Sequence, residues 1–292
     1  KKLNRNANEN KKLYKKILNE RLKILKKNKI KIIDLDCRDY KKVCKIFNKF
    51  KPTVIYHLAA VAHANISNKD PFSTFDHSLR TLENTLDASR SINNLERFIY
   101  ISSSMVYGNF KKKMVDENDQ CNPLGIYGAL KFAGEKMVIG YNQVFNIPYN
   151  IIRPSALYGE RCISRRVTQI FVENALSGKE LLMNDDGREK LDFTYIEDLT
   201  NCMTKLIEIK KSRNQVFNIT FGNSRRILEL IKIIKQKVKN VKVKSQKRDK
   251  LMPERGTLST SKAEELLNYK SEWPLEKGYN NYISWYKKFF NN

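Results

Sequence analysis

Residues 97–108 read Arg-Phe-Ile-Tyr-Ile-Ser-Ser-Ser-Met-Val-Tyr-Gly. A short apolar and aromatic run stops at three serines. It is too short for a buried helix and lacks the alternation of a strand with one wet face, so it reads as a strand buried on both faces, the kind a parallel sheet contains. Runs of the same character recur at 30–35, 53–58, 149–153 and 216–219. Between them the apolar spacing becomes helical at 40–50, 72–91 and 127–145, each stretch long enough to cross back over a sheet. Alternating strands and helices predict an α/β fold with a doubly wound parallel sheet. Beyond about Pro154 the pattern shifts to helices at 166–176, 196–210 and 227–238, then a tail with Pro253, Gly256, Trp273 and Pro274 leads into an amphipathic helix at 279–289. The expected organisation is a larger domain over 1–160 and a smaller, more helical lobe over 161–292, with about 192–220 returning to the first core.

The composition limits the function classes. At 292 residues with 41% hydrophobic and 30% charged, the chain can bury an ordinary core. No apolar run approaches the roughly 20 residues that cross a bilayer, and the lysine- and asparagine-rich start has no short apolar signal core, so neither a membrane-spanning nor a secreted protein is expected. Five scattered cysteines without a CxxC pair indicate neither a disulfide framework nor a zinc knuckle, and fit a reducing cytoplasm. The net charge of +25 comes from 40 lysines and 16 arginines spread along the chain. The densest runs, 11–31 and 232–250, alternate with Ile, Leu and Val and read as solvated faces of structured elements. Nucleic-acid binding is therefore disfavoured, while anionic small substrates would benefit from the charge.

In a doubly wound sheet, ligands bind beyond the carboxyl ends of the strands. Three segments there carry chemistry: His57-Leu58-Ala59-Ala60, the serines leading to Gly108, and Arg153-Pro154-Ser155-Ala156-Leu157-Tyr158-Gly159. Tyr127 and Lys131 stand four apart at the start of a predicted helix and share one face. A phenol ionises near pH ~10, and an ammonium one turn away favours the phenolate. The pair can act as a base toward a hydroxyl, and Ser103 can align the same oxygen. His57 and His63 read as structural histidines, since no ligand partner repeats at metal-binding spacing, and no metal site is expected. The aromatic residues from Trp273 to Phe289 read as core.

These pieces occur in a fixed order together with Asp34-Leu-Asp36-Cys37-Arg-Asp39, Leu191-Asp-Phe-Thr-Tyr-Ile-Glu-Asp198 and Phe217-Asn-Ile-Thr220. The set resembles the extended short-chain dehydrogenase/reductase family, the sugar-nucleotide epimerases and dehydratases, over almost the whole chain. The resemblance implies a Rossmann-like sheet that binds NAD. Asp36 and Cys37 would meet the adenine, Leu58, Ala59 and Ala60 would line the dinucleotide, and Pro154 and Ser155 would also bind the cofactor. Ser103, Tyr127 and Lys131 would be catalytic, with Lys131 also on the nicotinamide ribose. A nucleoside-diphosphate sugar would meet Ser103, Ser104, Met105, Ala156, Arg166 and Arg255. The implied activity is 4-epimerisation through a transient 4-keto sugar, in a homodimer formed through the helices at 72–91 and 127–145.

Several departures from the family pattern matter. Dehydratases carry an Asp-Glu pair after the Ser/Thr, where this chain has Ser104 and Met105, so elimination ranks below epimerisation. The family's Asn in the Arg-Pro segment is Ala156, its phosphate-binding Arg is Leu191, and its Asn on the helix after the second strand is His77. Arg165, Arg166, Lys190 and Arg255 are the basic candidates to replace the lost phosphate contact. The family's glycine turn is absent, because the first glycine is Gly108. The expectation is a chain that is N-terminally truncated relative to the family. Two other readings stay open: a nucleotide-sugar 4-dehydrogenase or 4-ketoreductase, and a truncated non-catalytic homologue that binds an acidic partner through its charge.

Overall fold

The apolar runs at 53–58, 97–102, 149–153 and 216–219 become the strands Val54–His57, Arg97–Ile101, Tyr149–Pro154 and Gln215–Ile219 in the computed structural model, which describes residues 10–291. They form one parallel sheet in that spatial order. Register pairs Val54 with Arg97, Phe98 with Tyr149 and Ile151 with Val216. Every residue of Tyr149–Pro154 is buried, as an inner parallel strand requires. Phe98, Tyr100 and Ile151 pack on one face against Leu82, Leu86 and Val138, while Ile99, Ile152 and Phe217 pack on the other against Leu199, Cys202 and Leu206. The fold is thus an α/β sheet covered on both sides.

The run at 30–35, expected to be a strand, has no regular secondary structure and belongs to no ladder, and Ile30, Ile32 and Ile33 are exposed. Among the described residues nothing pairs with the outer edge of Val54–His57, and an apolar run with no neighbour to bond gains no strand stability however β-branched it is. The stretch at 72–91 differs more subtly. It is a short helix Pro71–Phe75, a π-helical turn Asp76–Arg80 and a helix Thr81–Ser89. The Thr81 hydroxyl lies against the carbonyls of His77 and Ser78, at 3.0 and 3.1 Å, competing for backbone acceptors where the turn widens.

Helix Tyr40–Phe50 is capped by the Asp39 carboxylate, which accepts from the Lys42 amide at 3.1 Å. The long helix Gly125–Phe145 begins two residues before Tyr127 and stops at Asn146 in the left-handed conformation. Helices Val167–Leu176, Ile227–Lys237 and Leu275–Asn291 bury Phe171, Leu230, Ile234, Tyr279, Tyr282 and Tyr286 in a second core. Trp273 lies 4.5 Å from the Tyr195 ring and Trp285 packs beside Tyr286, so the aromatic tail is core. The helix Lys11–Lys27 packs Leu13 against this core, and the Tyr14 hydroxyl donates to Glu173 at 2.9 Å. No described helix is long and apolar enough to cross a membrane.

Candidate active site

The strand Arg97–Ile101 delivers Ser102 and Ser103 to the carboxyl edge of the sheet. Ser103 Oγ accepts from the Met105 amide at 3.2 Å and starts the 3-10 turn Ser104–Tyr107. The long helix docks against this turn with Tyr127 and Lys131 facing it. Ser103, Tyr127 and Lys131 are all buried. Lys131 Nζ donates to the Ile101 carbonyl at 2.7 Å and sits 5.0 Å from the centre of the Tyr100 ring.

Ser103 and Arg166 lie close enough to the Tyr127 oxygen to favour its ionised form. Burial opposes ionisation of this phenol, yet Lys131, Arg166 and Ser103 together outweigh it and hold its pKa below that of a free tyrosine. Burial is also the largest influence on Lys131, and with Arg166 it lowers the ammonium pKa against the opposing pull of Tyr127 and Glu135. The arrangement is a phenol prepared to exchange a proton with a hydroxyl placed beside Ser103.

The other predicted residues fall into two groups. Leu58, Ala59 and Ala60 follow the outer strand. Leu58 is 63% exposed, and the Ala59 carbonyl accepts from the Thr81 hydroxyl at 3.1 Å. Pro154 ends the third strand, and Ser155 Oγ beside it is buried without a hydrogen-bond partner among the described residues. Asn84 Nδ2 donates to the Cys37 carbonyl at 3.0 Å. Asp36 is exposed, and hydrogen bonds from Arg38 hold its carboxyl far below the usual range. Ser104 and Met105 are buried in the turn after Ser103. Ala156 has φ +33°, where side chains are disfavoured.

Arg166 reaches across to the Ala62 carbonyl at 3.1 Å, and its charge helps to lower the Tyr127 pKa. Arg255 pairs with Glu189 at 3.5 Å, and its Nε finds no partner among the described residues. Burial lowers the Arg255 pKa, Glu189 opposes this, and Arg166 and Arg248 are close enough to add to the lowering. Three guanidiniums therefore share one field, suited to an anion. Lys190 is exposed and sits in a two-residue strand opposite Arg226. His77 contacts the Ser73 carbonyl, and His57 Nδ1 lies 3.0 Å from the Thr85 hydroxyl. No described cluster of His, Cys, Asp or Glu could hold a metal.

Sequence reasoning missed Arg248, which looked like one more charge in a basic run, and Glu135, whose position one turn beyond Lys131 was the available signal. It quoted Arg153 without giving it a role. These last two form a buried ion pair at 2.7 Å.

The sequence matches the NAD dependent epimerase/dehydratase family over residues 3–220. It is 30% identical over 240 residues to the uncharacterized UDP-glucose epimerase YtcB of Bacillus subtilis, covering 81% of this chain and 75% of that protein. The UDP-glucuronic acid 4-epimerase of Bacillus cereus, solved with UDP-glucuronic acid and NAD, superposes with a TM-score of 0.84 at 28% identity, covering 90% of this chain and 85% of that one. The UDP-glucose 4-epimerase of Thermotoga maritima, solved with UDP-glucose, also gives 0.84 at 24% identity, with 88% and 84% covered, a likeness of fold.

Proposed function

Because this chain belongs to the NAD dependent epimerase/dehydratase family, we propose that it is an NAD-dependent 4-epimerase of a nucleoside-diphosphate sugar. The observation that carries the reading is the buried Tyr127 phenol beside Ser103, with Lys131 one helical turn away anchored on the Ile101 carbonyl; neighbouring cations favour its ionised form. When bound, NAD would supply a reversible two-electron acceptor for the sugar carbon. The nicotinamide half of its site fits the residues present: Lys131 Nζ is one turn from Tyr127, and the buried Ser155 hydroxyl lacks a partner that a ligand would provide. A glycine turn for the pyrophosphate is not among the described residues, since the first glycine is Gly108.

In the proposed reaction the Tyr127 oxygen takes the proton of the sugar C4 hydroxyl. Ser103 bonds the same oxygen, and Lys131 stabilises the phenolate. Tyr127 returns the proton after the sugar presents its other face, so no net redox occurs. Arg166, Arg248 and Arg255 supply charge for the diphosphate. No carboxylate follows Ser103, which disfavours elimination. In this reading residues 1–160 hold the dinucleotide and 161–292 mainly the sugar, with about 192–220 returning to the first core. Phe72, Phe75, Val144 and Phe145 are exposed on or beside the helices expected to pair, which supports a homodimer. Five unpaired cysteines are in keeping with a cytoplasmic setting.

The test is interconversion of UDP-glucose and UDP-glucuronate with their 4-epimers, followed by chromatography. Tyr127→Phe should cost at least ~100-fold in turnover, the contribution of a positioned acid–base group, with an unchanged melting temperature. Retained turnover would sink the mechanism. Stoichiometric growth of reduced-nicotinamide absorbance would instead assign a dehydrogenase.

A further inference from the structure

Three consecutive residues at the end of the strand Arg97–Ile101 meet three residues spaced four apart on the long helix. The Ile101 carbonyl accepts from Lys131 at 2.7 Å, the Ser102 hydroxyl donates to Glu135 Oε1 at 2.5 Å, and Ser103 lies beside the Tyr127 phenol, close enough to favour its ionised form. Positions 127, 131 and 135 form one stripe. The proposed reaction uses the first two and leaves Glu135 without a part. Its carboxylate is enclosed, 2% exposed, and held by both arms of a guanidinium: Arg153 Nε to Oε1 at 2.9 Å and Nη2 to Oε2 at 2.7 Å. Arg153 is itself fixed by the Tyr107 hydroxyl, which lies 2.9 Å from Nη1 and donates to Asn218 at 2.8 Å.

A carboxylate one helical turn from a lysine ordinarily pairs with it. Here that pairing would draw the Lys131 ammonium away from the strand end and set an anion against the phenol that must ionise. Arg153 opposes this, because its two-pronged grip neutralises the carboxylate and fixes its orientation, leaving little charge to draw Lys131 away. We propose that Arg153 is a positioning residue which sequesters Glu135, so that the Lys131 charge stays directed at Tyr127 and the Ser102–Ser103 segment stays seated on the helix. The proposal rests on Tyr127 being the proton-transfer group. The charged and titratable groups that face this stripe are Tyr100 and His57 from the sheet, Arg166 from the second lobe, Arg153 from the third strand, and Tyr149 and Cys121 around Glu135. With Arg153 gone, Glu135 is left with Lys131, one helical turn away, whose charge already responds to it.

The experiment titrates Tyr127 by ultraviolet difference spectroscopy, each variant against the same variant carrying Tyr127→Phe, and follows kcat and KM against pH. Arg153→Met should raise the Tyr127 pKa by about one unit, a tenfold fall in kcat on the acid side, with little change in KM. Arg153→Lys, which keeps the buried cation but loses the fork, should give a smaller rise. The double variant Glu135→Gln/Arg153→Met removes the freed anion too and should return the titration to the wild-type position, an outcome that lost packing would not produce. Should Arg153→Met fail to fold, the lysine and double variants carry the test. An unmoved titration in folded Arg153→Met and Arg153→Lys, or a double variant no closer to wild type than the single, overturns the proposal. The phenol titration needs no turnover, so absent epimerisation with these shifts present would count against the 4-epimerase reading, whereas unmoved titrations in an active chain would overturn this proposal alone.

Discussion

A phenol enclosed by protein is a poor base, and Tyr127 becomes one only because neighbouring cations outweigh its burial. Lys131→Met removes the first of them. The phenol pKa must then rise, and the acid limb of kcat should move to higher pH by on the order of one to two units. A pH–rate profile measures this, and an unmoved limb would mean that the ammonium serves binding alone. Arg166 should matter less, because it is partly exposed and screened. Ala156 is strained at φ +33°, so Ala156→Gly should stabilise the chain by about 1 kcal/mol, read as a higher melting temperature.

At the level of elements, the contact between the long helix and the turn after Ser103 depends on a missing side chain. A Cβ at Gly128 would stand 2.9 Å from the Met105 carbonyl oxygen and 3.0 Å from Pro123 Cβ. Alanine would raise helix propensity by up to ~1 kcal/mol, but pushing backbone away costs roughly 1–3 kcal/mol, so overpacking wins. Gly128→Ala should therefore lower both the melting temperature and kcat, the latter because Tyr127 moves relative to Ser103. Thermal unfolding beside steady-state kinetics checks both. Four strands and the long helix were legible because apolar period and length speak for themselves. The run at 30–35 misled because β-branched residues report what a strand wants, while a ladder needs a neighbour. The Glu135–Arg153 pair and the reach of Arg166 to Tyr127 were not legible at all. Each joins elements whose approach is settled by packing, and no spacing along the chain records it.

Over the whole molecule, two buried groups tie distant segments together and titrate in opposite senses. Asp192 accepts from the Leu258 and Gly222 amides at 3.2 Å and the Thr220 hydroxyl at 3.1 Å, joining three stretches of chain. Burial pushes its pKa up to about 6, partly offset by those bonds. The folded state thus holds this proton more tightly, so the contribution of Asp192 is full below the ordinary carboxyl range and is lost as pH rises through 6. Burial pushes His57 down to about 4, helped by Lys131, so its contribution is full above the ordinary imidazole pKa and is lost as pH falls through 4. The two slopes partly cancel in the wild type. Asp192→Asn should uncover the second, its stability relative to wild type rising by on the order of 2 kcal/mol between pH 4 and pH 7. Urea unfolding at both pH values measures this, and an equal difference at each would show that Asp192 titrates normally.

The four strands of the central sheet lie side by side in the order in which they occur along the chain. Each pairing spans dozens of residues, which makes it slow to find in a free polypeptide. During synthesis, however, every new strand emerges to meet an edge its predecessor has just completed. Assembly is vectorial: the ribosome's own direction supplies the order of addition, and no strand has to wait for one not yet made. The turn bearing Ser103 and the helix bearing Tyr127 are synthesised before Gln215–Ile219, so the two can meet before the far side of the sheet is made.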